Sequence, residues 1–280
     1  MKTIQVETII NAVKELCIKA NYDLPEDIYK ELKEGIGKEE SPVGKDILKD
    51  ICYNADIAKE EQVPICQDTG TAVVFIKLGQ EVRIEGGLLS EAIHEGVRQG
   101  YKEGYLRKSI VQNPLYRVNT KDNTPAVIHY DIVQGDQLEI LIAPKGGGSE
   151  NMSKVYMLTP SQGVEGVKKA VLETVTLAGP NACLPIVVGI GIGGNFEKST
   201  YLAKKALTRD IGSSNPDERM AKLEEELLEE INKLGIGPQG LGGVVTALAV
   251  HIEDYPCHIA SMPLAINIGC HVNRHKSVIL

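Results

Sequence analysis

Pro64-Ile65-Cys66-Gln67-Asp68-Thr69-Gly70 is where the sequence changes character. Upstream, the first sixty residues carry helical periodicity; downstream, the apolar run Ala72 to Leu78 reads as a strand. The fold class follows from this junction. It is α/β (α+β mixed): a helical N-terminal region, residues 1–60, followed by mixed β-sheets flanked by helices. The same seven residues carry chemistry. A thiolate is a soft ligand for iron or zinc, and a carboxylate two residues on can move a proton near whatever that metal holds. The plainer reading is a buried cysteine followed by an Asp that caps a turn.

On the helical side, Ile4, Val6, Ile9, Ile10, Val13, Leu16 and Cys17 form one apolar stripe near 3.6 periodicity. Pro25-Glu26-Asp27 opens a second helix, with Gly35 near its end. A third runs from Pro42 to Glu60. On the other side, Ala72 to Val82 is a strand and Ser90 to Tyr105 a helix. Val127 to Val133 and Leu138 to Ala143 are strands, and Gln134-Gly135-Asp136 between them reads as a tight hairpin turn. Gly163 to Leu177, Phe196 to Arg209 and Pro216 to Leu234 are helices. Leu184 to Ile192 is an unbroken apolar run, as in a strand buried on both faces. Val244 to Ile252 and Leu264 to Cys270 are late strands. No interdomain linker stands out, so residues 1–280 are read as one domain.

A chain of 280 residues can bury a sizeable core. With no Trp and only 2 Phe, that core must be aliphatic. The net charge of −8 comes without a basic tail, which argues against nucleic acid as a partner. No N-terminal apolar h-region and no run of about 18 apolar residues appears, so no membrane association and a cytoplasmic location are expected. Six cysteines in a chain of this kind do not read as a disulfide framework. Cys17 and Cys52 lie within helical patterns and are expected in the core. Cys66, Cys183, Cys257 and Cys270 sit at strand or loop edges.

Three motifs need weighing. Gly189-Ile190-Gly191-Ile192-Gly193-Gly194 contains GxGxxG between a strand and a helix, as a dinucleotide site would. Against that, the motif comes late, and a long charged helix follows where the next parallel strand should be. The alternative is a tight strand-to-helix turn that needs glycine for packing. Lys145-Gly146-Gly147-Gly148-Ser149-Glu150-Asn151 lacks the ending of a phosphate loop, yet its backbone N–H groups could meet a carboxylate. Cys257-His258 and Cys270-His271, with His275, superficially resemble zinc ligands, but neither cysteine has a second one nearby.

What remains is three cysteines far apart: Cys66, Cys183 in Pro180-Asn181-Ala182-Cys183-Leu184-Pro185, and Cys270 in Asn267-Ile268-Gly269-Cys270. Three thiolates would leave one iron of a four-iron cluster open to act as a Lewis acid. Three ordinary core cysteines would satisfy the same composition.

The segments Pro64–Thr71, Asn119–Val127, Lys145–Ser153, Gly179–Pro185 and Ile266–His275 together closely resemble the α subunit, or N-terminal domain, of the class I iron–sulfur fumarases. The related L-tartrate dehydratases share this architecture. The resemblance spans almost the whole chain. It implies that Cys66, Cys183 and Cys270 hold a [4Fe–4S] cluster and that Cys257 does not. It also implies that Gln67, Arg107, Gly147 and His258 contact substrate and that Asp68 transfers a proton. The implied reaction is the fumarate–malate step of the tricarboxylic acid cycle, or the analogous dehydration of tartrate.

In single-chain relatives a C-terminal domain completes the active site. The resemblance therefore implies a separate β subunit, an α2β2 heterotetramer, and a catalytic base on that second subunit.

Overall fold

The computed structural model describes residues 2–280. In chain order the elements are β1 (Lys2–Gln5), α1 (Val6–Tyr22), α2 (Glu26–Lys38), α3 (Pro42–Glu61), β2 (Thr71–Gly79), β3 (Val82–Glu85), α4 (Leu89–Glu103), β4 (Val127–Val133) and β5 (Leu138–Lys145). They continue with α5 (Gly147–Glu150), β6 (Lys154–Leu158), α6 (Gly163–Ala178), β7 (Ile186–Gly193), α7 (Phe196–Ala206), α8 (Glu218–Asn232), β8 (Ala247–Tyr255), β9 (Met262–Gly269) and β10 (Lys276–Ile279). Helices and mixed sheets make this an α/β fold. Among the described residues, no helix is long and apolar enough to cross a membrane.

Contacts group the chain into two compact units. One holds Met1–Leu24, Ala55–Gly147 and Arg274–Leu280, the other Pro25–Asn54 and Gly148–Asn273. Because the chain passes between them several times, no single linker separates them, and none was visible in the sequence.

In the first unit, β10, β5, β2 and β4 form one sheet in that order, and β1 pairs with β3. The stripe on α1 buries Ile9, Val13 and Cys17 against the core. Its neighbour α4 comes close because Gly96 and Gly100 face it. A Cβ on Gly96 would lie 2.6 Å from the Val13 Cβ, and one on Gly100 would lie 2.8 Å from the Cys17 Cβ. Cys17 is thus a core residue, as its periodicity implied. Ile4 departs from the helical reading. It belongs to β1, whose residues pair in parallel with Val82–Glu85.

The hairpin expected between β4 and β5 does not form. β2 lies between them, parallel to β4 and antiparallel to β5. The reason is burial: β2 is buried on both faces over much of its length, whereas β4, which ends up at the sheet edge, buries none of its residues fully. The more apolar strand takes the inner position. Residues 134–137 therefore arch over the end of β2. Gly79 N–H donates to the Gln137 carbonyl at 2.8 Å and Gln80 N–H to Val133 at 2.8 Å. Gly79 has to be glycine, since a Cβ there would meet the Gly135 carbonyl oxygen at 2.4 Å.

In the second unit the sheet order is β6, β9, β7, β8. β7 is buried along nearly its whole length, as its apolar run implied. The glycines of the GxGxxG stretch serve packing. A Cβ on Gly189 would lie 2.3 Å from the Ala203 carbonyl oxygen, and one on Gly191 would lie 2.0 Å from that of Ser199. Both oxygens belong to α7, so these glycines let that helix lie directly on the strand.

Glu39 anchors the glycine-rich loop ahead of β8. Its carboxylate is 1% exposed. It accepts N–H bonds from Glu40 (2.8 Å), Ser41 (2.9 Å), Val244 (3.0 Å) and Val245 (2.9 Å). Burial alone would raise its pKa, but these four donors outweigh it and hold the group below the usual carboxylate range. A depressed folded pKa contributes stability that is complete above the unfolded value and is lost as pH falls through the folded one. Glu39→Gln should therefore cost about 1–3 kcal/mol at pH 7. In pH-dependent denaturant unfolding, its deficit relative to wild type should shrink below about pH 4.3.

Candidate functional site

The turn after α3 starts from a fixed point: Ile65 N–H donates to the Asn21 carbonyl on α1 at 2.9 Å. Cys66 follows, half-buried, and its sulfur accepts the Asp68 N–H at 3.4 Å. The Asp68 carboxylate is held at both oxygens. Gly70 N–H donates to Oδ1 at 3.0 Å and Gly147 N–H to Oδ2 at 2.7 Å. Two donors on two oxygens fix the plane of the carboxylate, which a free surface aspartate lacks. The expected turn cap is present in the Gly70 bond. The Gly147 bond, from 79 residues away, goes beyond it.

Three buried side chains hold the turn's carbonyls. Arg274 Nη2 donates to the Asp68 carbonyl. The Tyr101 hydroxyl lies 2.8 Å from the Thr69 carbonyl and 3.0 Å from that of Gly70. Asn123 Nδ2 donates to the Gly70 carbonyl at 3.1 Å, while its Oδ1 accepts Ser109 N–H at 2.7 Å. Burial pushes the Tyr101 phenol well above its ordinary range, so it stays a neutral donor. Next to Asn123, the Asp122 carboxyl is opposed by burial but bonded by the Thr124 N–H and hydroxyl and by Arg98. Together these bring it to about 2. The Asn119–Ala126 motif thus has a structural purpose: it shapes a rigid loop that presents Asn123.

Of the predicted contact residues in this unit, Gln67 and Arg107 are exposed. The Arg107 carbonyl accepts the Thr69 hydroxyl at 3.1 Å, which ties its backbone to the turn and leaves the guanidinium outward. Gly147 is exposed, and its N–H serves Asp68.

Cys183 and Cys270 belong to the second unit. Cys270 directly follows β9, and Cys183 ends the 3₁₀ turn Gly179–Ala182. Cys183 has φ +57°, a left-handed conformation uncommon for a residue with a Cβ. Such strain persists where surrounding contacts impose it. Here His271 supplies them. Its N–H donates to the Cys183 carbonyl at 3.2 Å, and its Nδ1 lies 2.9 Å from the same oxygen. Gln239 Nε2 holds the adjacent Leu184 carbonyl at 2.6 Å. The Cys183 turn and the Cys270 turn are therefore pinned together.

His258 stands in the loop after β8 and is exposed. It lines a groove of about 500 Å³ with Asn195, Lys198 and Tyr255. Beside it, the Cys257 thiol donates to the Ser261 carbonyl at 3.2 Å.

Among the described residues, no three His, Cys, Asp or Glu side chains converge as ligands of a single metal ion. The zinc arrangement considered from the Cys-His pairs is not assembled. A cluster makes a different demand, one thiolate per ligated iron. On that test the donor set fits. Cys66, Cys183 and Cys270 are all at least partly accessible and sit in turns just outside strands. An N–H···S bond of the kind that tunes cluster thiolates already reaches Cys66.

Residues 10–279 match the model of the family described as fumarate hydratase (Fumerase). This chain belongs to that family of hydro-lyases. Among its relatives, a Methanocaldococcus jannaschii protein provisionally named L(+)-tartrate dehydratase subunit alpha is 48% identical, over 95% of each chain. The L(+)-tartrate dehydratase subunit alpha of Escherichia coli O157:H7 is 36% identical, covering 92% of this chain and 86% of its own. That of E. coli K12 is 35% identical with the same coverage.

Sequence reasoning missed the supports: Tyr101, Asn123, Arg274 and His271 had no assigned role. Asn123, Arg274 and His271 lay inside the quoted motifs, but nothing in the motifs distinguishes a buried holder from a surface residue.

The exposure pattern makes a direct prediction for thiol labelling followed by mass spectrometry. In the native metal-free chain, Cys183 and Cys257 should react first and Cys66 and Cys270 more slowly. Cys17, whose thiol burial pushes up to about 12, and Cys52 should react only after unfolding.

Proposed function

We propose that this chain is the cluster-bearing α subunit of a fumarate hydratase, which interconverts fumarate and (S)-malate together with a separate β subunit. The carrying observation is the Asp68 carboxylate, oriented through both oxygens in the same turn as Cys66. Membership in the fumarate hydratase family supports the reaction class. The names of the relatives, each an alpha subunit, support a partner chain.

Cys66, Cys183 and Cys270 would hold a [4Fe–4S] cluster. With three thiolate ligands it would supply an open iron, a Lewis acid for a substrate hydroxyl. Asp68 is the proton-transfer group. In dehydration the C–O bond breaks as the double bond forms, and the Asp68 carboxyl gives its proton to the departing oxygen, which leaves as water. In hydration the proton moves back. The proton lost from carbon goes to a base on the β subunit. The N–H bonds from Gly70 and Gly147 keep the carboxyl plane fixed through both directions. Arg107 offers an exposed guanidinium suited to bidentate carboxylate binding. Gln67 and His258 present accessible polar groups to the substrate.

A second reading, L(+)-tartrate dehydration, is favoured by one observation: the three relatives described above bear that activity in their names. The test is anaerobic reconstitution of this chain with its β subunit, followed by kcat/KM for malate, fumarate and L(+)-tartrate. The expected result is preference for fumarate and malate by about tenfold or more, about 1.4 kcal/mol in the transition state. The chain alone should show little turnover. A preference for tartrate overturns the substrate but not the reaction class; inactivity toward all three overturns both.

A further inference from the structure

Arg274 is the most anomalous polar residue of the first unit. It lies four residues beyond Cys270 and is only 5% exposed. One nitrogen, Nη2, donates to the Asp68 carbonyl. Its Nε and Nη1 are buried without a hydrogen-bond partner among the described residues. Desolvating a guanidinium is costly, and each buried donor left unpaired adds to that cost. A fold that only had to hold a carbonyl has no need of that expense. Asn123 shows the alternative two residues further on: a neutral amide holds the Gly70 carbonyl at 3.1 Å and satisfies its own oxygen too.

The difference between the two positions is charge. Arg274 grips the one residue of this turn that bears a carboxylate. Its charge and that of Asp68 act on the same buried phenol, Tyr101, in opposite directions. Tyr101 and Asn123 secure the carbonyls of Thr69 and Gly70. The Asp68 carbonyl depends on Arg274.

We propose that Arg274 is a positioning residue for Asp68, fixing its backbone through a buried donor that carries a positive charge. The proposal rests on the reading of Asp68 as the proton-transfer group. Because Nε and Nη1 are closed to solvent, Arg274 acts through Asp68 and does not touch substrate.

The test compares R274M, R274Q and R274K with wild type, using two readouts. In the full chain alone, hydrogen exchange at the Gly70 and Gly147 amides reports whether the Asp68 carboxylate is still held. In the complex reconstituted with the β subunit, kcat and KM report the chemistry. Replacing an under-satisfied buried charge by Met should leave thermal stability unchanged or higher. Both amides should nevertheless exchange at least about tenfold faster in R274M. Its kcat should fall about 100-fold, with KM within about threefold. R274K, which keeps charge and donor, should recover most of both; R274Q, which keeps only a donor, should recover the exchange protection in part and little of kcat.

Wild-type protection and kcat in R274M overturn the proposal. R274Q equal to R274K in kcat removes the role of charge and overturns it. A Tm drop of several degrees in R274M shows a structural residue, and a rise in KM alone shows a substrate contact; either overturns it. If the wild-type complex turns over none of the three substrates, the functional reading fails, while the amide exchange still decides whether Arg274 holds Asp68.

Discussion

One immobilised carboxylate, that of Asp68, is the constraint around which the first unit is organised. Asp68 sits in a turn where an aspartate would ordinarily cap its own backbone and swing freely otherwise. Here the cap from Gly70 is joined by a second N–H from Gly147, and the backbone beneath is gripped at three successive carbonyls. The consequence is a carboxylate with its orientation set before any ligand arrives, as the proposed proton-transfer role requires. Pre-set geometry matters because displacement of a reacting group by about an ångström can cost two orders of magnitude in rate. The rest of the first unit supports that turn. Closely packed α1 and α4 carry Asn21 and Tyr101, and the rigid 119–126 loop carries Asn123.

The second unit solves a different problem, holding two thiols in accessible turns without letting the turns drift. His271 and Gln239 do this by binding the carbonyls of Cys183 and Leu184, which stabilises an otherwise unfavourable left-handed cysteine. The sheet behind them needs β7 buried on both faces and α7 lying against it, and that contact is why Gly189 and Gly191 carry no side chain. A stretch that reads as a nucleotide fingerprint is thus explained by helix–strand packing.

Much of this was legible in the sequence because it rests on local chemistry. The helical stripe of α1, the apolar runs of β2 and β7 and the cysteines at strand ends are short-range patterns. What was not legible depends on long-range choices. The Gln134-Gly135-Asp136 turn has hairpin composition, and only competition for the sheet interior shows that β2 intervenes. The edge strands β6 and β10, five and four residues long, are too short to announce themselves. Ile4 fits the helical stripe by spacing, yet parallel pairing with Ile84 claims it for a strand. Arg274 and Tyr101 read as an ordinary Arg and an ordinary helical Tyr. Their importance comes from burial next to a turn that is distant in sequence, which no periodicity encodes.

The proposed ligand set is Cys66, Cys183 and Cys270, with Cys257, hydrogen-bonded to its own loop, outside it. Iron and acid-labile sulfide per chain, measured after anaerobic reconstitution of the four single Cys→Ser variants, test it most directly. The account predicts wild-type content in Cys257→Ser and loss of most iron and sulfide in each of the other three. Loss in Cys257→Ser, or full content in any one of the other three, would contradict it.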